Sequence, residues 1–312
     1  MSRHHTLPAG PATCHWGYFD AALAPVLTIE SGDTVTIDSV SGPADVLPAT
    51  GFDILPAHRA VLDGLQPLAR GHILTGPVAV AGAEPGDVLE IRIEAVSLAQ
   101  NWAYTAIGPL RGTLPEDFPY RRLWHSAIDR QRGVATLPWG MELKLAPFFG
   151  VMGTAPPPAY GMQSSIEPRE YGGNMDLKEL TAGSTLYLPV FNAGALFSVG
   201  DGHGVQGDGE VCLTALETAL SGTFRLILRK DLDWTLPRAE TPTHWITLGF
   251  DPDLDDAAKI ALREMIKLIG ERSGLAAAEA YMLCSLACDM RVTQLVDGNK
   301  GVHAMLAKSV LS

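Results

Sequence analysis

Three stretches of this chain repeat one pattern, and that pattern narrows the fold more than anything else in it. SGDTVTIDSV (31–40), PGDVLEIRIEAV (85–96) and AGSTLYLPV (182–190) each set a glycine in a turn and follow it with alternating apolar and polar residues. Alternation with period two turns one face of a strand to a core and the other to solvent. A turn glycine feeding a half-buried strand is shared turn chemistry rather than a true internal repeat. With 32 glycines and 22 prolines among 312 residues, many short strands joined by shaped loops are favoured over helices. The first two thirds of the chain therefore read as β.

Helix enters late. Asp251 can cap a helix with Pro252 in its first position, and Asp253, Asp255 and Asp256 favour its positive end. Leu254, Ala258, Ala261, Leu262, Met265, Leu268 and Ile269 then form one apolar stripe, which Gly270 or Gly274 can close. A second helix is predicted from Ala276 to about Ala287, then a strand in RVTQLV (291–296) and a turn in DGNKG (297–301). The expected fold is mainly β with α+β additions. A β-rich catalytic core covers 1–230, and an α+β part over 231–312 packs on that same core, with the helices concentrated near the C-terminus.

A net charge of −12 argues against nucleic acid or an anionic membrane as partner. No apolar run approaches the ~18 residues of a membrane-spanning helix. The N-terminal MSRHHTLPAG lacks the apolar centre of a signal peptide, and His4 and His5 read as a mobile end. Cys14, Cys212, Cys284 and Cys288 form no CxxC pair and read as free thiols, which suits a reducing cytoplasm.

The chemistry is concentrated in GALFSVGDGHGVQGDGEVCLTALE (194–217), where Asp201, His203, Asp208, Glu210 and Glu217 are separated by glycines. Oxygen and imidazole donors on such a loop suit a divalent metal, and equally a general acid and base. Asp201 and His203, two apart, share a face on extended chain; the alternative is a self-capping Asp beside a structural His. Asp208 reads as an Asx turn. Glu210 reads as the entry to a strand starting at Val211, on which Val211, Leu213, Ala215 and Glu217 share one face. A carboxylate in that apolar row is costly unless coordinated, paired or protonated, which is the profile of a ligand or base. The alternative is a solvated Glu217 beyond the strand. In YGGNMD (171–176), Asn174 can donate to an oxyanion and Asp176 can bind metal, or the segment is simply a turn. His72 reads as a structural histidine. Ser126 lacks a GxSxG elbow, Cys212 lacks a histidine partner, and neither dinucleotide nor P-loop signatures occur.

Together, GPVAVAGAEPGDVLEIRI (76–93), PFFGVMGTAPP (147–157), GGNMD (172–176) and LYLPVFNAGALFSVGDGHGVQGDGE (186–210), with the ALE that ends at Glu217, resemble the acetamidase/formamidase family over roughly 28–230. The resemblance implies a β-sandwich or jelly-roll-like core, hydrolysis of short carboxamides to carboxylate and ammonia, homodimers or higher homo-oligomers, and a bound divalent metal, zinc first and calcium second. By motif it assigns Asp201, His203 and Asp176 to the metal, Glu217, Glu210 and Asn174 to catalysis, and Tyr171 and Gly173 to substrate binding. Tyr171 stands where the family often carries histidine, and 101–118 reads as a feature of one branch, which points to a substrate other than formamide or acetamide. A non-catalytic β-sandwich that binds a sugar or amide, with Trp102 or Trp139 for stacking, is the competing expectation.

Overall fold

The computed structural model describes residues 2–311. Two large sheets lie face to face. The first has nine strands, in the order His4–Leu7, Thr34–Asp38, Leu220–Arg229, Val88–Leu98, Thr185–Pro189, Arg238–Glu240, His244–Asp251, Lys300–Ala307, Cys288–Gln294. The second runs Gly172–Asn174, Phe148–Gly153, Phe197–His203, Ile73–Val80, Cys14–Trp16, with Leu27–Ile29 paired in parallel on Ile73–Val80. The three turn-plus-strand segments all supply strands of the first sheet.

The alternation reports the layering. Leu220, Gly222, Phe224 and Leu226 are buried while the residues between them are half-exposed. Phe224 meets Phe149 and Phe197 of the opposite sheet with ring centres 5.5 and 5.9 Å apart, and Leu89, Ile91, Leu188 and Val199 fill the same core. Burying side chains of this size contributes roughly 1.5–3 kcal/mol each. In the second sheet every residue of Phe148–Gly153 and Phe197–His203 is buried, so polar groups on those strands lie inside the protein.

A smaller four-stranded sheet has Arg122–Asp129 inside it and Trp102–Ile107 at its edge. Among the described residues there are three α-helices: α1 (Pro56–Gly64), α2 (Leu254–Ser273) and α3 (Ala277–Ala287). Helix α1, which opens on Pro56, is not among the helices expected from the sequence. Ala257, Ala261, Met265 and Leu268 of α2 pack on Val302, Ala304 and Leu306 of the first sheet. Gly249 permits that approach, since a Cβ there would lie 2.5 Å from the Ala261 nitrogen. The strands of the C-terminal part continue the nine-stranded sheet rather than building another.

Four local expectations are corrected. The cap of α2 is Asp253, which accepts from the backbone N–H groups of Asp255 (2.9 Å) and Asp256 (3.2 Å); Asp251 instead ends a strand and accepts from Asp253 N. His4–Leu7 is no mobile end but pairs with Thr34–Asp38, and His5 Nε2 sits 2.9 Å from Asp33 Oδ2. The last strand signal ends at Gln294 rather than 296. No strand forms over 211–217, because Glu210 (φ +45°) and Leu213 (φ +95°) turn the chain out of the extended region. Among the described residues, no helix is long and apolar enough to cross a membrane.

Candidate metal and active site

The strand Phe197–His203 ends inside the molecule and delivers Asp201 and His203 together: His203 Nε2 is 3.2 Å from Asp201 Oδ2. Asp201 adopts a left-handed conformation (φ +57°), so the two side chains converge at the end of the strand. Glu217 arrives by a different route from the one its apolar row suggested. It exchanges both backbone hydrogen bonds with Tyr104 (2.9 and 2.8 Å), while its neighbours Leu216 and Thr218 bond to Gly204 and Gly202 (both 2.7 Å). Held between two strands, its Oε1 lies 3.3 Å from His203 Nε2.

On the other side of the imidazole, Gln206 Oε1 lies 2.9 Å from Nδ1, and the Gln206 amide donates to the carbonyl of Asp176 (2.9 Å). Since that amide nitrogen is taken, the oxygen faces the ring, Nδ1 donates to it, and Nε2 is turned to Asp201 and Glu217, as a donor to them while the ring is protonated and as a metal ligand once that proton is lost. Asp176 Oδ1 lies 3.8 Å from Nδ1, and Glu210 and Asp297 gather beside Asp176.

The charges are compressed into a dry space. Burial disfavours the His203 cation, yet Glu217 and Asp201 outweigh it and hold this histidine well above its ordinary value. Burial raises Glu217 to about 7 against the pull of His203. Burial also opposes the Asp201 charge, but His72 and His203 win and keep it well below the usual carboxylate range. Glu210 and Asp297 are raised well above it, by burial first and by Asp176 second, and burial raises Asp176 itself.

A cation fits this arrangement. His203 Nε2 and Glu217 Oε2 are buried with no hydrogen-bond partner among the described residues. Unpaired buried polar atoms are costly, and these two, beside the Asp201 carboxylate, mark a place for an ion. Ligand atoms of Asp201, His203 and Glu217 all lie within 4.8 Å of one another, as do those of Asp176, His203 and Glu210. Gly150 floors the space: a Cβ there would be 2.7 Å from Asp201 Oδ2 and would press on Asp176 Oδ1.

The cluster opens into a cavity of about 890 Å³, lined by the buried Asp201, Glu210, Glu217, Asp297 and Asn174 and by the half-buried His72. Asn174 makes no side-chain hydrogen bond among the described residues, so it is free to address a ligand. The two substrate-binding residues expected from the sequence stand back from the cavity. Tyr171 is fully buried against Phe19, Leu74 and Val151, because its ring completes a core cluster, and Gly173 pairs with Met152 in the ladder. Asp208 is bound to Lys178 at 2.8 Å, outside the cluster. Trp102 is buried, and Trp139 is exposed away from the cavity. Three residues of the site are not among those expected from the sequence. His72 lines the cavity with Nε2 3.7 Å from Asp201 Oδ2, Asp297 looked like an ordinary Asp-Gly turn, and Gln206 carried no signal.

The family model described as the acetamidase/formamidase family matches residues 15–165 and 157–307. A Schizosaccharomyces pombe protein carrying the name formamidase is 29% identical over 258 residues, 65% of this chain and 61% of that one. An acetamidase of Bacillus halodurans has a crystal structure that superposes with a TM-score of 0.85 at 30% identity, covering 98% of each chain. A Thermoanaerobacter tengcongensis structure described as an acetamidase/formamidase gives 0.86 at 26% identity, covering 100% of this chain and 98% of that one. The chain spans about half to three fifths of the length of the curated relatives it matches. This chain belongs to the acetamidase/formamidase family.

Proposed function

We propose that the protein hydrolyses a carboxamide: water adds to the carbonyl carbon, the C–N bond breaks, and carboxylate and ammonia leave. The observation that carries this reading is the convergence of Asp201 and Glu217 on His203 Nε2 beside a cavity that also presents Glu210 and Asn174. Asp201, His203 and Glu217 would hold a divalent metal, and an imidazole in the set favours zinc over calcium. Such an ion supplies Lewis-acid polarisation and lowers the pKa of water to near ~7.

The chain's own groups carry the rest. Asn174 donates its amide N–H to the carbonyl oxygen, where negative charge develops. Glu210, buried and raised well above an ordinary carboxylate, takes a proton from the attacking water and returns it to the departing nitrogen. Asp176 and Asp297 hold one proton between them, since two such close buried carboxylates resist joint ionisation. In this reading Glu217 is a ligand rather than the base, supported by its 3.3 Å approach to Nε2. The four free cysteines suit a reducing compartment, and the cytoplasm is the location this reading takes.

The test is ammonia release from a panel of amides by zinc-loaded wild type, Glu210→Gln and Glu217→Gln. Glu210→Gln should bind zinc normally and lose at least ~100-fold in kcat; Glu217→Gln should lose zinc. Wild-type turnover by zinc-loaded Glu210→Gln would end its role as base, and no ammonia from any amide would end the amidase reading.

A further inference from the structure

The cavity is far larger than formamide or acetamide requires. At about 890 Å³ it lies at the upper end of sites that enclose drug-sized ligands. Its lining is also sorted by chemistry. The four carboxylates Asp201, Glu210, Glu217 and Asp297 are buried, while Arg70 and Arg111 are exposed, which puts the arginines toward its mouth. Trp16, Ile107 and Leu213, half-buried, add apolar wall.

Neither Arg70 nor Arg111 makes a side-chain hydrogen bond or ion pair among the described residues, whereas the third arginine of the mouth, Arg121, is neutralised by Asp45 at 2.6 Å. In a chain of net charge −12, two uncompensated guanidinium groups over one cavity are a local reversal of the field. Both stand on anchored backbone. The Arg111 loop is tied to the Glu210 loop by Thr113 N to Val211 O (2.9 Å) and by Ala106 N to Thr214 Oγ1 (2.9 Å). The Arg111 side chain folds back over Gly108, its Cδ 3.3 Å from where a Cβ would stand. Arg70 is held by Ser164, which donates to its carbonyl at 3.0 Å, and stands two residues before His72.

We infer that the substrate is an amide whose far end carries a carboxylate: the amide is turned to the deep cluster, an aliphatic stem lies along Trp16, Ile107 and Leu213, and the anionic end is received by Arg70 and Arg111. The inference rests on the amidase reading. Arginine matches a carboxylate with two parallel N–H donors, which a neutral chain end cannot use. The product is then a dicarboxylate.

The experiment compares glutaramate with pentanamide, an amide of equal chain length and no charge, in zinc-loaded wild type, Arg111→Ala, Arg70→Ala and the double variant. Glutarate binding is followed in parallel by calorimetry. Wild type should prefer glutaramate in kcat/KM. Each single change should cut that preference about tenfold through KM, with partial rescue by Arg111→Lys, and should weaken glutarate by the same factor. Pentanamide turned over as well as glutaramate, or a preference that survives the double variant, would overturn the inference and leave the amidase reading standing. Ammonia from neither amide, with glutarate bound in an arginine-dependent way, would overturn the amidase reading while the anion site stood. No glutarate binding and no preference would overturn the site.

Discussion

Gln206 presents its carbonyl oxygen to His203 Nδ1 at 2.9 Å and thereby decides that the other nitrogen faces Asp201 and Glu217. The carboxamide is itself fixed, because its N–H group is engaged by the Asp176 carbonyl. Replacing it with methionine keeps the volume and removes the acceptor. Gln206→Met should weaken zinc binding about 10–100-fold, the usual cost of losing such a supporting partner. Competition against a chromogenic chelator measures this, and unchanged affinity would exclude a histidine-orienting role.

The sheets were readable because their signal is local. Period-two alternation over 31–40, 85–96 and 182–190 follows from one buried face, and all three segments are strands. The cluster was half readable, for a physical reason. Asp201, His203 and Glu210 share one glycine-rich stretch, but Asp297 lies in a turn that only the folded first sheet brings under Asp176. Glu217 was found through a strand that does not exist; its true placement comes from long-range bonds to Tyr104. Nor does spacing disclose that Asp176, Asp201 and Glu210 are all left-handed (φ +50°, +57° and +45°). Such residues cost on the order of 1–3 kcal/mol each, and proteins retain them where function requires the geometry.

The raised groups set how stability depends on pH. Glu217 titrates near 7 in the folded chain against an ordinary 4.5, so between those values the folded state holds a proton that the unfolded state has lost. Glu210, Asp176, Asp297 and His203 are also raised and act in the same sense, whereas Asp201 is lowered and its contribution is lost only in strong acid. Chelated protein should therefore be most stable near pH 4.5–5 with respect to these groups and lose stability as pH rises through 7. Zinc needs the deprotonated ligands, so its stabilisation should grow over the same window. Thermal unfolding with and without zinc at pH 5, 6, 7 and 8 reads both slopes, and a chelated protein that gains stability from pH 5 to 8 would contradict the buried-carboxylate argument.

Arg238 joins the first sheet to α2. It reaches Glu264 at 3.0 Å and Glu271 at 2.8 Å, and its guanidinium stacks 4.4 Å from the Trp234 ring centre. Glu264 is buried, so Arg238→Ala leaves its carboxylate facing only Lys267, whose ammonium is largely exposed. Removing one partner of a buried ion pair costs roughly 3–5 kcal/mol. Urea denaturation should show that loss, and a change under 1 kcal/mol, within the range of an exposed pair, would mean that water already reaches Glu264.

Gly150 tests whether the space between the carboxylates is functional or merely a packing gap. Its φ is an ordinary one, so alanine brings no backbone strain, and everything follows from the added methyl group. That carbon would stand 2.7 Å from Asp201 Oδ2 and 2.8 Å from His203 Cε1, and would press on Asp176 Oδ1. Real Cβ atoms do not approach so closely, so the ligand side chains must move apart. Overpacking of this kind costs about 1–3 kcal/mol in a well-packed interior. At a metal site the larger effect is on geometry, and a displacement of 1 Å costs on the order of 100-fold in rate. Gly150→Ala should therefore stay folded, bind zinc at least ~10-fold more weakly and lose about two orders of magnitude in amide turnover. Gly207→Ala, where a Cβ meets nothing within 4 Å, is the control and should match wild type in all three. Full zinc affinity and full turnover in Gly150→Ala would show that the cluster accommodates a methyl group at its centre, and would remove the ion from that position.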